Sequence, residues 1–441
     1  MITKYLDKRA DLTTRSLVSG PCDNVDRVVV IPVLAESEHL FRTLESLAQN
    51  PAEDLRKTLT ICVVNNRVET SADPAHIEDN RQTLARLDAI VHTTRLGDGL
   101  RLGYIDASSP GKELPEKGGV GLARKIGLDW GLAVLAETRR DSGLLLSLDA
   151  DTLVEPNYLA AVRDHFTSPD PWAAVVAYAH PLDGPPEEVV AIVCYEIFLR
   201  YHVLGLEYAQ SPYAFPTIGS TMVCTAQAYA AVSGMNQRQA GEDFYFLQQL
   251  AKTGHVNPIH TTTVYPSSRP SPRVPFGTGQ RVRRHLAGEQ DEYLLCDPEC
   301  YQILKAWLTC ATTHADSDTT CLLAQAETIA PPLRSFLEEQ GFPDTWPRLQ
   351  ANSPDPAQRR GQFHRWFDGF KTLKLIHYLR DHGFPQRDMF DAVFDLLERR
   401  SAPIPVSDFA DIRTNLRTQT ALLYHLRRCS EQPSVDFSLH D

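Results

Sequence analysis

The sequence predicts an α/β protein with a mixed, mostly parallel sheet flanked by helices, followed by a C-terminal all-α domain. Three short apolar runs without polar alternation, at residues 28–33, 59–64 and 144–148, are typical of strands buried on both faces. Helical patterns separate these runs, and such alternation forms parallel sheets through right-handed crossovers. Beyond about residue 290 the strand signal ends and helical patterns dominate, which predicts the second, helical domain.

Four segments are expected along the chain. The polar residues 1–25 are predicted to be peripheral, and residues 26–265 to form the α/β domain. Residues 266–290 are predicted to be a Pro/Arg-rich loop or lid, and residues 291–441 the helical domain. Aromatic and apolar residues at helical spacing in the last segment predict a packed core rather than a ligand site.

Composition excludes several classes of protein. The chain has 441 residues, of which 42% are apolar, as is typical of a globular protein. A net charge of -12 argues against nucleic acid as a partner. The longest apolar stretch, Val189 to Ala209, is interrupted by charged residues, so no transmembrane segment is expected. Peripheral contact of the protein with a membrane stays open. Nine scattered cysteines without zinc-ligand spacing, and no secretory signal, predict reduced thiols in the cytoplasm.

The first half of the α/β domain is predicted as successive βα units. A strand at residues 28–33 precedes a helix capped by Ser37, with apolar residues at 40, 41, 44, 47 and 48. A second strand at 59–64 ends in Asn65 and Asn66, and a helix over about 75–87 leads to a third strand near 89–93.

The run that ends in Asp149-Ala150-Asp151 carries the strongest chemical signal. Ligands of α/β sheets bind beyond the carboxyl ends of the strands, so both carboxylates are expected where chemistry takes place. One or two carboxylates completed by substrate phosphates form the usual Mg²⁺ site. The alternative is a solvated Asp-x-Asp turn that only closes the strand.

A glycine-rich turn, Lys117-Gly118-Gly119-Val120-Gly121, precedes the helix before that strand. Backbone N–H groups at such a helix start can bind an anion, and Lys117 and Arg124 would add positive charge. The alternative is a tight turn packed against the sheet.

Two later segments carry further polar residues. Gly219-Ser220-Thr221 is predicted to lie in a strand over residues 215–223, where small residues leave room for a substrate or mark a bulge. Glu242 and Asp243 open a helix: either they only stabilise the helix start, or Asp243 serves as a general base.

Arginines and prolines are concentrated between residues 266 and 284. Arg269 and Arg273 belong to this segment, which in an acidic chain is suited to covering phosphate groups. A linker whose arginines are merely solvated is the alternative.

These motifs, in this order, resemble glycosyltransferase family 2, the inverting enzymes of GT-A fold. The resemblance covers roughly residues 26–265. It is carried by Ile31-Pro32-Val33-Leu34-Ala35-Glu36, Asp149-Ala150-Asp151, Gly219-Ser220-Thr221 and Gly241-Glu242-Asp243.

The resemblance implies a metal-dependent transfer of a sugar from a nucleoside-diphosphate sugar to a hydroxyl acceptor that the sequence does not identify. It implies that Asp149 and Asp151 hold Mg²⁺ or Mn²⁺ with the diphosphate, and that Asp243 is the base with Glu242 beside it. Nucleotide contacts are implied for Pro32, Glu36, Asn66, Lys117, Arg124 and Asp149. An acceptor or phosphate loop is implied for Gly219, Ser220, Arg269 and Arg273.

The chain departs from the family pattern at two places. Ala35 replaces the usual Asn before Glu36, and Asn65-Asn66 replaces an Asp-rich strand end, so the nucleobase stays open between uridine and guanosine.

Two other functions also stay open. The run Leu146-Ser147-Leu148-Asp149-Ala150-Asp151-Thr152 fits the nucleophile motif of haloacid dehalogenase-type phosphohydrolases, with Asp149 as nucleophile and Asp151 as acid and base. A non-catalytic sugar-nucleotide-binding module is the third class.

Overall fold

The structure is a computed structural model that describes residues 1–93, 99–138, 142–168, 172–271, 277–353, 355–402 and 404–431. The chain divides into two compact units. The first comprises Met1–Gly184 and Thr217–Gln280, and the second comprises Pro185–Pro216 and Arg281–Asp441. Residues 185–216 therefore group with the C-terminal helices, whereas the sequence places them in the α/β domain.

In its described residues, the first unit contains a sheet of nine strands and flanking helices. The strands are β1 (Leu17–Ser19), β2 (Arg27–Val33), β3 (Thr58–Asn65), β4 (Arg101–Ala107), β5 (Leu144–Ser147), β6 (Leu153–Val154), β7 (Ala173–Tyr178), β8 (Met222–Thr225) and β9 (Val256–Tyr265). The helices that precede β9 in the chain are α1 (Ile2–Arg9), α2 (Leu40–Ala48), α3 (Ala52–Leu55), α4 (Pro74–Thr93), α5 (Val120–Glu137), α6 (Tyr158–His165), α7 (Pro186–Tyr208), α8 (Ala226–Ala231) and α9 (Glu242–Thr253). All of them belong to the first unit except α7, which belongs to the second.

The sheet has the order β1-β4-β3-β2-β5-β8-β7-β9-β6. Its central strands β4, β3, β2 and β5 run parallel, and β8 runs antiparallel beside β5. Strands β7 and β9 are parallel to each other, and the short strands β1 and β6 pair antiparallel at the two edges. The predicted α/β class, a mixed sheet flanked by helices and followed by a helical region, is confirmed.

Helix α5 packs closely against the sheet through two glycines. A methyl group added at Gly127 would lie 2.3 Å from Val30 Cγ1, and one at Gly131 would lie 2.9 Å from Leu145 Cδ2. Every residue of β2, β3 and β5 is buried. The glycines therefore bring the helix axis near the strands, and this fixes where the side chains of α5 end up at the sheet edge.

Three predicted elements of this unit are wrong in detail. The strand near 89–93 does not form, because α4 continues to Thr93 and the third strand is β4. Ser37 does not cap α2: the cap position is His39, and the Ser37 hydroxyl donates to Asp79. Gly219–Thr221 form a 3-10 turn before β8 rather than part of a strand. For Ser37 and for the turn at Gly219–Thr221, contacts distant in sequence outweigh the local preference: Ser37 bonds to Asp79, and Ser220 bonds to Asp149.

The N-terminal residues contribute to the first unit instead of extending from it. Strand β1 pairs with β4, and Ile2 and Tyr5 on α1 are buried. The Tyr5 hydroxyl donates to Asp129 of α5 at 2.7 Å. A polar segment can therefore be anchored by a few side chains even where its average composition suggests exposure.

The second unit is almost entirely helical. Besides α7 it contains α10 (Thr278–Leu286, which crosses the boundary between the units), α11 (Pro298–Thr313), α12 (Thr319–Ile329), α13 (Pro331–Glu339), α14 (Phe342–Asn352), α15 (Pro356–Trp366), α16 (Gly369–Asp381), α17 (Met389–Arg399) and α18 (Leu416–Glu431). A two-stranded sheet pairs β10 (Leu294–Leu295) with β11 (Arg387–Asp388). Trp307, Phe342, Phe363 and Phe367 form an aromatic core.

Helix α7 is, within the described ranges, the one helix long and apolar enough to cross a membrane. However, 61% of its apolar window is buried inside the protein. The fully buried Glu196 on this helix pairs with Arg200 and Arg427. These features are typical of the core helix of a globular unit.

Candidate active site

The candidate site lies at one edge of the sheet in the first unit. The parallel strands β2, β3 and β5 end there and lead directly to Glu36, Asn66 and Asp149. Strand β8 runs the opposite way, with Leu146 opposite Val223, so the turn before it arrives at the same edge. Strand β9 is parallel to β7 and ends there too, which delivers Arg269. Topology thus gathers residues far apart in sequence at the edge where α/β proteins bind ligands.

Arg124 connects the two acidic pairs that the sequence singles out. From α5, its Nη2 donates to Asp149 Oδ1 and its Nε donates to Glu242 Oε1 at 3.0 Å. Burial alone would lower the pKa of Arg124, but the charges of Asp149 and Glu242 outweigh it and raise the pKa. The guanidinium therefore stays charged. The pair after β5, Asp149 and Asp151, is consequently linked through one guanidinium to the pair at the start of α9, Glu242 and Asp243.

Asp243 combines a raised pKa with a position at the start of α9. Burial raises the pKa of Asp243 to about 7, and the neighbouring charge of Glu242 acts in the same direction. The backbone N–H of Phe244, which donates to Asp243 Oδ1 at 2.7 Å, and the charge of Arg124 oppose this rise. A carboxylate with a pKa near neutrality is suited to accept a proton at physiological pH.

A second arginine holds the outer carboxylates. Arg269 Nη2 donates to Asp151 Oδ2 at 2.9 Å and also to both oxygens of Glu36. Glu36 is only 6% exposed, whereas the Arg269 side chain is 29% exposed. The carboxylates pair with a cation that solvent, and hence a ligand, can reach.

The described residues contain no group of three or more His, Cys, Asp or Glu side chains arranged to hold a metal ion. Both oxygens of Asp149 already accept hydrogen bonds, from Arg124 and from the Ser220 hydroxyl. Asp151 is bonded to the more accessible Arg269. This donor set fits an ion held by one carboxylate and mainly by substrate phosphates, and it does not fit a site made of protein ligands alone.

The glycine-rich turn serves packing. A methyl group at Gly121 would lie 2.4 Å from the Arg238 carbonyl oxygen, and one at Gly119 would lie 2.9 Å from Gln239 Cα. The turn therefore allows α5 to approach the segment that leads to Glu242. Lys117 is exposed on this turn.

Two residues with implied nucleotide contacts are buried. Pro32 lies within β2 opposite Val63, beyond the last residue of β5 that pairs with β2, where its missing N–H is not needed. Asn66 donates to the Arg67 carbonyl, and its Oδ1 accepts from Asn80 and from Ser108. The Asn66 side chain thus joins the ends of β3 and β4.

The small-residue turn contributes a hydroxyl to the site. Ser220 is fully buried, and its hydroxyl donates to Asp149 Oδ2 and contacts the Thr152 hydroxyl at 3.0 Å. Gly219 lies against Arg124. Arg273 falls outside the described residues, so its predicted place near phosphate stays a prediction.

Sequence reasoning missed two polar residues near the site. Asn80 on α4 accepts a hydrogen bond from the Ala35 N–H at 2.9 Å and donates to the Asn65 carbonyl, which fixes the turn after β2. Ala35 has a positive φ of 52°, a conformation that needs such support. Half-buried His39 has its pKa lowered by burial and by the charge of Arg269. An Asn within a helix and a His at a helix start give no distinctive sequence signal.

Comparison with solved structures finds TarS from S. aureus. The structure of TarS 1-349 in complex with UDP-GlcNAc aligns at 13% identity and a TM-score of 0.35, covering 92% of this chain and 92% of that one. The complex of TarS 1-349 with UDP aligns at 12% identity and a TM-score of 0.36, covering 83% and 95%. No family model and no curated protein matches the chain. At these TM-scores the likeness does not identify a function for this chain.

Proposed function

We propose that the protein is an inverting glycosyltransferase that moves a sugar from a nucleoside-diphosphate sugar to a hydroxyl acceptor. The observation that carries the proposal is the shared guanidinium of Arg124, which joins Asp149 after β5 to Glu242 at the start of α9. One acidic pair then faces the donor and the other faces the acceptor within a single site.

Asp243 is proposed as the general base. An acceptor hydroxyl is a poor nucleophile until its proton is removed during attack, and a carboxylate with a pKa of about 7 can take that proton at neutral pH. Glu242 is held by Arg124 and shapes the acceptor side next to Asp243. One base is sufficient for a single inverting displacement, whereas a glycosidase uses two flanking carboxyl groups.

Arg269 is proposed to meet the diphosphate. Negative charge builds on the departing phosphate as the sugar leaves, and a guanidinium can stabilise it through paired hydrogen bonds. Arg269 is bound to Glu36 and Asp151 by ion pairs, so a diphosphate would compete with these carboxylates for it.

We further propose that Mg²⁺ or Mn²⁺ takes part, with Asp151 as the protein ligand and Asp149 as its neighbour. When bound, such an ion would supply positive charge to the departing diphosphate. Asp151 accepts a hydrogen bond from Arg269, the guanidinium that is proposed to meet the diphosphate, and this proximity supports the proposal. All nine cysteines are free thiols, which supports a cytoplasmic location for the reaction.

The phosphohydrolase alternative is less well supported. Its nucleophile would be Asp149, yet both oxygens of that carboxylate accept hydrogen bonds from Arg124 and Ser220. Its motif is also expected on the first strand of its domain, whereas β5 follows four strands in the chain.

The test is release of free nucleoside diphosphate from a panel of UDP-, GDP-, CDP- and dTDP-sugars. We expect release with at least one donor, its loss on chelation of divalent ions, and its recovery with Mg²⁺ or Mn²⁺. Asp243→Asn should reduce turnover by about 10²–10⁴-fold, the usual contribution of a general base. Glu78→Gln, at an exposed ion pair with Arg81, is the matched control and should leave turnover unchanged. Release of inorganic phosphate from sugar phosphates, with no transfer, would favour the hydrolase instead.

A further inference from the structure

We infer that Arg124 is a positioning residue that fixes the two acidic pairs relative to each other, and that it does not contact the nucleotide. This inference rests on the proposed function and revises the role that the sequence implies for Arg124. It concerns how the proposed base Asp243 and the donor-facing carboxylate of Asp149 are held at a fixed distance and orientation.

Burial and hydrogen bonding show how Arg124 is used. The residue is 3% exposed, which leaves little of it for a ligand to reach. Its Nε and Nη2 donate to Glu242 and Asp149, and its Nη1 donates to the Ser147 hydroxyl and to the Gly219 carbonyl at 3.3 Å. Each guanidinium nitrogen therefore has an acceptor within the protein.

The guanidinium joins four separate parts of the chain. Arg124 belongs to α5, Ser147 ends β5 and Gly219 begins the turn before β8, while Glu242 opens α9. A planar guanidinium can donate in several directions at once, whereas an ammonium group on a flexible stem is a point charge. Only arginine can keep all these contacts in one geometry.

The space for this guanidinium depends on a glycine. A methyl group at Gly219 would lie 2.2 Å from Arg124 Nη2 and 2.9 Å from its Cζ, closer than nonbonded atoms approach. An alanine at this position would displace the guanidinium without changing any charge. The absence of a side chain at 219 is thus explained by Arg124.

Positioning of Glu242 also positions the base next to it. Glu242 is 4% exposed and is held on its side chain by Arg124 and on its carbonyl by Asn236 Nδ2 at 2.8 Å. Helix α9 begins here, after Gly241 with a φ of 69°. A shift of Glu242 would therefore move Asp243, and an error of about 1 Å in such a group can reduce a rate by about 10²-fold.

The experiment compares Arg124→Lys and Gly219→Ala with the wild type, using the donor that the wild type turns over. We expect both variants to lower kcat by about 10²-fold, with the dissociation constant of the nucleoside diphosphate changed by less than about threefold. Arg81→Lys, at an exposed ion pair with Glu78, is the control and should retain kcat. Melting temperature and circular dichroism establish that each variant is folded.

A double-mutant cycle adds a second measurement: kcat is determined for Arg124→Lys, for Glu242→Gln and for the variant that carries both substitutions. If Arg124 acts through Glu242, the two losses in kcat will not multiply, because residues in contact are coupled. A dissociation constant that rises strongly while kcat at saturating donor is kept would overturn the inference and return Arg124 to nucleotide binding. Full kcat in folded Gly219→Ala would also overturn it. A wild type that releases no nucleoside diphosphate from any donor would instead remove the proposed function itself.

Discussion

Arg269 Nη2 lies 2.9 Å from Asp151 Oδ2 and donates to Glu36 as well, so one accessible guanidinium pairs with two carboxylates at the sheet edge. Burial alone would lower the pKa of Arg269, but the charges of Glu36 and Asp151 raise it, so the group remains a cation. This relationship links the segment after β9 to the residues that follow β2 and β5.

Arg269→Gln is expected to weaken binding of nucleoside diphosphate by about tenfold or more in the absence of divalent ions, because a charge-assisted contact is lost and two carboxylates are left to repel the ligand. Arg269→Lys should retain part of the affinity, since it keeps the charge without the planar fork. Calorimetric titration measures both. Arg81→Gln, exposed and paired with Glu78, serves as the control. Equal affinity of Arg269→Gln and wild type would contradict a phosphate-facing role.

The rate should depend on pH through Asp243. Its pKa is raised to about 7 by burial and by Glu242, and only the deprotonated form can accept the proton of an acceptor hydroxyl. We therefore expect kcat/KM, which reports the pKa of the free protein, to rise with pH up to about 7 and then to level off. A profile of kcat/KM measured from pH 5 to 9 tests this expectation. A flat profile in that window would show that no carboxylate with this pKa limits the reaction.

The raised pKa of Asp243 should also affect the stability of the fold. Stability should fall as pH rises, whereas the rate should increase. Between the unfolded pKa of an aspartate and about 7, the folded protein binds more protons than the unfolded chain, so stability falls as pH rises through this window. Asp243→Asn removes this dependence. At pH 8 the variant should be more stable than the wild type by about 1 kcal/mol or more, since each unit of pKa shift corresponds to about 1.4 kcal/mol. Urea denaturation at pH 5 and pH 8 provides the comparison, and an equal difference at both pH values would contradict it.

Helix α5 should not tolerate even a small side chain on the face that contacts the sheet. A methyl group at Gly127 would approach Val30 Cγ1 to 2.3 Å and Val63 Cγ2 to 2.9 Å. Overpacking of a core typically costs about 1–3 kcal/mol, so Gly127→Ala should lower the free energy of unfolding by at least that amount. Gly361→Ala on α15, where nothing lies within 4 Å, is the matched helical control and should be neutral or stabilising by up to about 1 kcal/mol. Equal effects in thermal denaturation would argue against the close helix–sheet contact.

Much of the site could be predicted because its residues lie at the ends of strongly patterned elements. The apolar runs that become β2 and β5 end beside Glu36 and Asp149, and the glycine before Glu242 marks a helix start. The carboxyl ends of parallel strands meet at one edge, so order along the chain was enough to bring these positions together.

What could not be predicted depends on side-chain direction and on contacts distant in sequence. Arg124 lies one turn into α5, and nothing in its neighbourhood shows that it turns toward Asp149 and Glu242 instead of toward the helix start. The missed strand β4 follows a helix whose last turns contain the β-branched residues Ile90 and Val91, which locally favour a strand. Hydrogen bonds of Asn80 likewise depend on three segments that meet only in the fold.

The Tyr5 hydroxyl is expected to stabilise the contact between the N-terminal helix α1 and α5. Tyr5 Oη donates to Asp129 Oδ1 at 2.7 Å and accepts from Lys125 Nζ at 2.8 Å, within a buried group on α5. Burial raises the pKa of Asp129, and Tyr5 is one of the donors that oppose this rise. Tyr5→Phe keeps the ring contact with Tyr229 and removes only the hydroxyl, so it should lower the free energy of unfolding by about 1–3 kcal/mol, the cost of an unmade buried hydrogen bond.

The matched control for that substitution is Tyr424→Phe on α18, where the tyrosine is 48% exposed. Exposed positions away from such networks usually change stability by less than about 0.5 kcal/mol, so the control should denature in urea at the wild-type midpoint. The loss in Tyr5→Phe should also grow as pH rises above the raised pKa of Asp129, because the charged carboxylate is the form that needs the donor. If Tyr5→Phe and Tyr424→Phe unfold alike at every pH, the Tyr5 hydroxyl contributes nothing measurable and α1 is held by its other contacts.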